Sequence, residues 1–269
     1  MNITLLCNRD LASNLALNRL LPRLSKEHQI RVFLSDRVGA QAQGPADLAQ
    51  LKFYEQTLFN ELLFPAIDAG PGSGELLSFQ GLGRYTVSAP ASLNRVNSEE
   101  SLEVLASTDP DLIISIRYGG ILREQAIAIP RLGVINLHSG LLPDYRGVMA
   151  TFRALLAGES NIGCTLHYIR DAGIDTGDII TTTSLAVDPS RSYLWHVLAL
   201  YGDGCDAILE CTDLLARGET PSTSEQGSGG SYFSFPDEHD IANFRGSGFS
   251  LYDAAEITAV ARRFLGATQ

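Results

Sequence analysis

The chain has 269 residues, 45% of them hydrophobic, 19% charged and 8% aromatic, which is enough for one large domain or one domain with an appendage. Its 31 acidic and 20 basic residues leave a formal charge of −11, a field that repels phosphate backbones and anionic membranes, so nucleic acid is not an expected partner. No stretch approaches the roughly 18 apolar residues of a membrane helix, and Arg9 and Asp10 interrupt the N-terminal apolar run. Neither signal peptide nor membrane span is expected, and the expected location is the cytoplasm. The four cysteines, Cys7, Cys164, Cys205 and Cys211, are scattered in apolar segments without zinc-ligand spacing and read as buried, reduced thiols.

Asn2–Cys7 is an apolar run without polar alternation, as for a strand buried on both faces of a parallel sheet. Asn14–Leu24 places Leu17, Leu20, Leu21 and Leu24 on one helical face, with Pro22 expected to bend or end it, and Ile30–Ser35 reads as a second strand. Tyr54–Phe64 is amphipathic, Asp68–Glu75 reads as a loop, and the stretch before Val87 and Ser88 is too mixed to assign. Ser98–Ser107 reads as a helix, Leu112–Ile116 as a buried strand, Ile121–Ala128 as a short helix and Gly133–Leu137 as another buried strand. A helix over Val148–Leu156 ends at Gly158. Cys164–Ile169 and Ile179–Leu185 alternate enough for a sheet edge, and Tyr193–Arg217 is a long helix with a break expected at Gly202 and Gly204. This alternation predicts a three-layer α/β domain with a mostly parallel sheet over 1–219. Beyond it, 220–269 reads as a linker and a small C-terminal appendage: Thr220–Gly230 is the linker, Ser231–Phe235 a short strand and Asp253–Leu265 an amphipathic helix.

The chemistry concentrates in two segments. In Asn136-Leu137-His138, on the strand ending at Leu137, an amide and an imidazole two residues apart point to the same side, at the carboxyl end of the sheet where open α/β folds place ligands. Such a pair can polarise a carbonyl and handle protons; the plain alternative is a buried histidine bonded to backbone. The second segment, Asp171–Asp178, holds three carboxylates among two glycines. Alone it reads as an acidic turn, since it lacks the glycine and terminal glutamate of a calcium hand. Beside Asn136 and His138, Asp175 can orient or charge the imidazole. Gly70–Gly74 lacks the Gly-Lys-Ser/Thr ending of a phosphate loop and reads as flexible. His167, Tyr193 and Trp195 read as structural, and Tyr232, Phe233 and Phe235 as packing residues with cleft lining as the alternative.

Together these segments resemble the folate-dependent formyltransferases. The likeness rests on Asn136-x-His138, on Leu141-Leu-Pro-x-Tyr-Arg-Gly147 and on Asp171-x-Gly-x-Asp-Thr-Gly-Asp178, and it is best over about Asp109–Ile180. Ser139-Gly140 departs from the family's usual Gly-Ser or Pro-Ser. The resemblance implies a Rossmann-like formyltransferase domain in which Asn136 and His138 stabilise a tetrahedral intermediate and Asp175 supports His138 and relays protons. It implies 10-formyltetrahydrofolate as co-substrate, with no metal, bound largely by main chain at Tyr118, Gly119, Gly120, Ile121 and Leu122 and at Arg170, Asp171, Ala172 and Gly173. Glycines there would let the backbone approach a flat ring. Asn8 and Arg9 are candidate contacts to the acceptor, although the turn Asn8–Asn14 lacks the glycine-rich phosphate loop of glycinamide ribonucleotide formyltransferases. The expected reaction is formylation of a primary amine on a small molecule, with an amino-sugar nucleotide as first choice. An ornithine-type amine and a non-catalytic folate-binding module are the alternatives, and a homodimer is left open.

Overall fold

The computed structural model describes residues 1–36, 44–70, 74–227 and 229–266. The chain opens with β1 (Asn2–Asn8), α1 (Leu11–Leu24) and β2 (Gln29–Ser35), a parallel crossover that sets Ile3 beside Ile30 and Cys7 beside Leu34. α1 begins at Leu11, earlier than the expected Asn14, because the buried Asp10 carboxylate accepts the Ser13 N–H and caps it. Pro22 stays inside the helix, so close to its end that only the last turn bears the missing donor. One long helical run follows, made of α2 (Ala46–Lys52), a π-helical segment (Phe53–Leu63) and α3 (Phe64–Ala69). The amphipathic Tyr54–Phe64 is thus more widely wound than an α-helix, with Phe59 and Phe64 packed on Phe264. α3 passes Asp68, where a loop is expected; residues 71–73 of the glycine-rich Gly70–Gly74 stretch lie outside the described residues.

A 3₁₀ turn (Gly81–Tyr85), β3 (Ala91–Ser92), α4 (Glu99–Ser107), β4 (Leu112–Ile116), α5 (Glu124–Ile127) and β5 (Val134–His138) complete the parallel part. α5 is shorter than the expected Ile121–Ala128, because the Asn97 amide binds both the Ile121 carbonyl and the Arg123 N–H and holds that start outside the helix. Then come β6 (Tyr145–Gly147), α6 (Ala150–Leu156), β7 (Asn161–Ile162), β8 (Thr165–Ile169), β9 (Ile179–Thr182) and β10 (Leu185–Ala186). α6 starts after the expected Val148, whose N–H instead donates to the Phe233 carbonyl. The expected strand Ile179–Leu185 is split, with Leu185 pairing to Ile162.

α7 (Tyr193–Ala216) is continuous through Gly202 and Gly204. A Cβ at Gly204 would lie 3.0 Å from a Leu137 methyl and 3.3 Å from the Cys164 sulfur. Glycine there permits close packing of helix on sheet, which explains its presence without a break. β11 (Ser231–Phe233), α8 (Glu238–Gly246) and α9 (Ala254–Leu265) finish the chain.

Seven strands form the main sheet in the order β3-β2-β1-β4-β5-β8-β9, parallel from β3 to β5, with β8 antiparallel to β5 and β9 antiparallel to β8. The chain builds outward from β1 to β2 and β3, then returns to lay β4 and β5 on the other side. The carboxyl ends of β1 and β4 therefore flank a topological switch point, the usual place for a ligand crevice in such sheets. On one face Leu5, Ile114 and Leu137 pack with residues of α1 and α7; on the other Leu6, Ile113 and Val134 pack with Leu105 of α4 and Ala126 of α5. This is the expected three-layer, mostly parallel Rossmann-like architecture. Ile241, Phe244, Leu251, Ile257 and Phe264 from the C-terminal helices and the turn between them join the larger core. All four cysteines are buried and free of disulfides. No described helix is long and apolar enough to cross a membrane.

Candidate active site

Strand geometry delivers the first two groups. Asn136 and His138 lie on the Val134 face of β5, and the antiparallel register sets Asn136 opposite His167 and His138 opposite Thr165. The His167 Nδ1–H donates to the Tyr168 carbonyl at 2.9 Å, and its Nε2 lies 3.1 Å from the Asn136 amide nitrogen. The His138 Nε2 lies 2.7 Å from the Tyr145 carbonyl oxygen. A carbonyl can only accept, so that nitrogen carries a hydrogen.

Asp175 completes the group from the loop between β8 and β9, with φ at 55°, a left-handed conformation uncommon outside glycine. Its Oδ2 accepts the Gly147 N–H at 2.8 Å and faces His138 Nδ1 at 3.5 Å, while Oδ1 faces His167 Nε2 at 3.6 Å. The Gln226 side chain holds the turn by donating to the Asp175 and Gly177 carbonyls. Burial pushes the Asp175 carboxyl up, but His138, His167 and the Gly147 N–H together outweigh it and hold the group at about 2. The result is a fixed anion facing two imidazoles, one of which orders the amide.

The backbone at Tyr145 and Gly147 is itself braced. β11 lies parallel to β6, with Ser231 beside Tyr145 and Phe233 beside Gly147, and the Tyr145 and Phe233 rings stack. Gly147 has φ at 93°, and a Cβ there would sit 2.2 Å from the Phe233 carbonyl oxygen. Only glycine fits this approach.

A cavity of about 450 Å³ opens on Asn136, His138 and Asp175. Of the residues singled out in the sequence, Asn8, Tyr118, Gly119, Gly120, Ile121, Leu122, Asp171 and Gly173 line it, as do Tyr232 and Phe235. Arg9 lies outside this lining: it pairs with Asp36, donates to Ser92 and covers the Phe79 ring. Arg170 also lies outside, stacked 4.1 Å over the Tyr168 ring and facing Asp178, as does Ala172.

Several lining groups carry no local sequence signal. His167 reads as structural in isolation, yet it shares Asp175 with His138; only the β5–β8 register reveals this. Arg117, also left-handed at φ 55°, sends its guanidinium to Asp10 at 2.8 Å and to Glu55 at 3.4 Å. Asp10 is 1% exposed and also accepts from Asn8. Arg117, Glu55, Lys52 and Tyr193 all line the cavity. They come from three distant segments, so no motif could announce them.

Residues 74–194 match the formyl transferase family model. A methionyl-tRNA formyltransferase from Burkholderia cenocepacia is 32% identical over 187 residues, 65% of this chain and 56% of that protein. The chain thus spans little more than half the length of this relative. Two solved structures share the fold: glycinamide ribonucleotide transformylase 1 from Symbiobacterium toebii, with TM-score 0.56, 18% identity and coverage of 84% of this chain and 93% of that one, and an N-formyltransferase from Helicobacter canadensis in complex with folinic acid and dTDP-3-aminofucose, with TM-score 0.55, 15% identity and coverage of 92% and 80%. Through residues 74–194 the chain is similar to the folate-dependent formyltransferases.

Proposed function

We propose that the protein is a cytoplasmic N-formyltransferase that moves the formyl group of 10-formyltetrahydrofolate onto a primary amine of a small molecule, an amino-sugar nucleotide before others. In this reading 1–219 is the catalytic unit and 220–269 an appendage that closes it. The observation that carries it is the convergence of Asn136, His138 and Asp175 on one cavity. The Asn136 amide has two hydrogens and spends one on His167, which leaves the other for an oxyanion at the formyl carbon. His138, beside the Asp175 anion, supplies positive charge to the same tetrahedral intermediate when doubly protonated, and Asp175 supports that charge. Tyr118–Leu122, Asp171 and Gly173 line the same cavity, where in this reading they hold the pterin.

The amino-sugar choice draws support from the Helicobacter protein, which holds such a nucleotide on the same fold. The likeness to the Burkholderia protein favours a second reading, with aminoacyl-tRNA as acceptor; the formal charge of −11 opposes docking of a polyanion. A panel of amino-sugar nucleotides, hydroxyornithine, glycinamide ribonucleotide and methionyl-tRNA, each with 10-formyltetrahydrofolate, tests the reading. Preferred turnover of either of the last two rejects the acceptor class. Activity only with the ornithine-type amine keeps the chemistry and rejects the sugar.

A further inference from the structure

The cluster around Asp175 leaves one proton without a destination. An amine that arrives as an ammonium has no lone pair, so it must lose a proton before it can attack a carbonyl carbon. Asp175 is held at about 2 and is a poor proton acceptor. His138 Nε2 and His167 Nδ1 carry hydrogens committed to carbonyls, and His167 Nε2 is occupied by Asn136. The remaining nitrogen, His138 Nδ1, faces the Asp175 carboxylate.

The same cavity holds another acid. Glu55 sits at the start of the π-helical segment, 13% exposed at its side chain, and accepts from Arg117. Asn60 of that segment donates to the Arg9 carbonyl and so fixes the helix over the end of β1. In the sheet Cys7 pairs with Ile116 and Ile116 with Leu137, so the next residues, Asn8, Arg117 and His138, form a row across three adjacent strand ends. Neighbouring strands are about 5 Å apart, which sets the Arg117 backbone beside that of His138, with the Glu55 carboxylate one guanidinium away. The left-handed backbone at Arg117 is a strained conformation of the kind that gathers at working sites.

We propose that Glu55 binds the acceptor as an ammonium and takes its proton, a role that rests on the formyl-transfer reading above. One N–H bond of the ammonium breaks, its electron pair stays on nitrogen, and the proton goes to a Glu55 carboxylate oxygen. The lone pair forms the new bond to the formyl carbon. The bond from that carbon to the folate nitrogen then breaks, and the pair goes to the folate nitrogen, which takes the amine's second proton. The third hydrogen remains on the product formamide, and Glu55 returns its proton to water.

The electrostatics agree with this role. Burial pushes the Glu55 carboxyl up to about 7, against the pull of Arg117 and with the help of the Asp10 charge. Tyr193 of α7 also faces it, and Lys52 lines the cavity one turn before it. A base poised near neutral pH is well matched to this transfer.

The test compares wild type, Glu55→Gln and Glu55→Asp with 10-formyltetrahydrofolate and two acceptors, dTDP-3-aminofucose and hydroxylamine, the second of which keeps a free lone pair at neutral pH. With the sugar amine at pH 7, Glu55→Gln should lose about 100-fold in kcat/KM. The deficit should shrink roughly tenfold per pH unit up to the amine's own pKa, while hydroxylamine transfer stays within about threefold of wild type. A deficit equal at every pH, equal with both acceptors, or absent overturns the role. If Glu55→Gln does not fold, Glu55→Asp decides: it must keep an acid limb in its pH profile, and a flat profile overturns the role. No transfer by wild type to these two acceptors or to any amine of the panel above overturns the formyl-transfer reading itself, and this role with it.

Discussion

The Nε2 of His138 and the carbonyl oxygen of Tyr145 lie 2.7 Å apart, and this contact joins the end of β5 to the loop that β11 braces. Ring orientation is thereby set by backbone on one side and by Asp175 on the other. The ring is held in place before any ligand arrives, so chemistry and folding can be separated by mutation.

Replacing Asn136, His138 or Asp175 by alanine should lower formyl transfer by about 100-fold or more, the usual effect of losing an oxyanion donor or proton-transfer group. The fold should survive each change, as circular dichroism and thermal melting would report. Near-normal turnover by folded His138→Ala would refute the assigned roles.

Acid stability should depend on Asp175. Its folded pKa of about 2 lies below its ordinary 3.8. The stabilisation is therefore complete above 3.8 and is lost as pH falls through about 2. Asp175→Asn should remove on the order of 2 kcal/mol near neutral pH. It should also flatten the stability curve between 3.8 and about 2 relative to wild type, measured by urea unfolding at each pH. Parallel curves for the two proteins would contradict the linkage.

Gly140→Ala should impair the reaction through His138. The added Cβ would fall 2.5 Å from the Ala150 Cβ, 2.8 Å from His138 Nε2 and 3.0 Å from the Tyr145 carbonyl oxygen. Overpacking of this kind costs about 1–3 kcal/mol, and the displaced ring should lower kcat by about tenfold or more while the affinity for a folate analogue changes little. Wild-type kcat in this variant would show that the ring position is less constrained than the contacts indicate.

A non-transferable folate analogue should bind without any acceptor, because Tyr118–Leu122, Asp171 and Gly173 line a cavity that is already formed. Isothermal titration and an upward melting shift would report it. A folded protein that takes up no analogue at millimolar concentration would refute folate as co-substrate, and the folate-binding module with it.

The strands that carry the site were legible because burial on both faces leaves a near-continuous apolar run, broken by Ser115 in Leu112–Ile116 and by Asn136 in Val134–Leu137. Asn136 and His138 were legible because strand period is local. What depended on pairing between distant segments was not. His167 gains its place from antiparallel register, and the Arg117–Asp10–Glu55 cluster from three strand and helix ends meeting at the switch point. Gly204 shows the converse: it weakens helix propensity locally, but tight contact with Leu137 and Cys164 offsets that and α7 stays whole. The π-helical winding of Phe53–Leu63 has no counterpart in hydrophobic periodicity, which reports an apolar face without its pitch.

The ladder between β6 and β11 bears on the order in which the molecule matures. Domains emerge from the ribosome N-terminus first, and the β1–β5 sheet can pair as soon as residues 1–138 are free, since every strand it needs lies within them. The Gly147 N–H that Asp175 accepts, and the Tyr145 carbonyl that receives His138, sit on a strand whose partner, Ser231–Phe233, is made only after α7. A nascent chain would hold its sheet before the His138 ring was aligned.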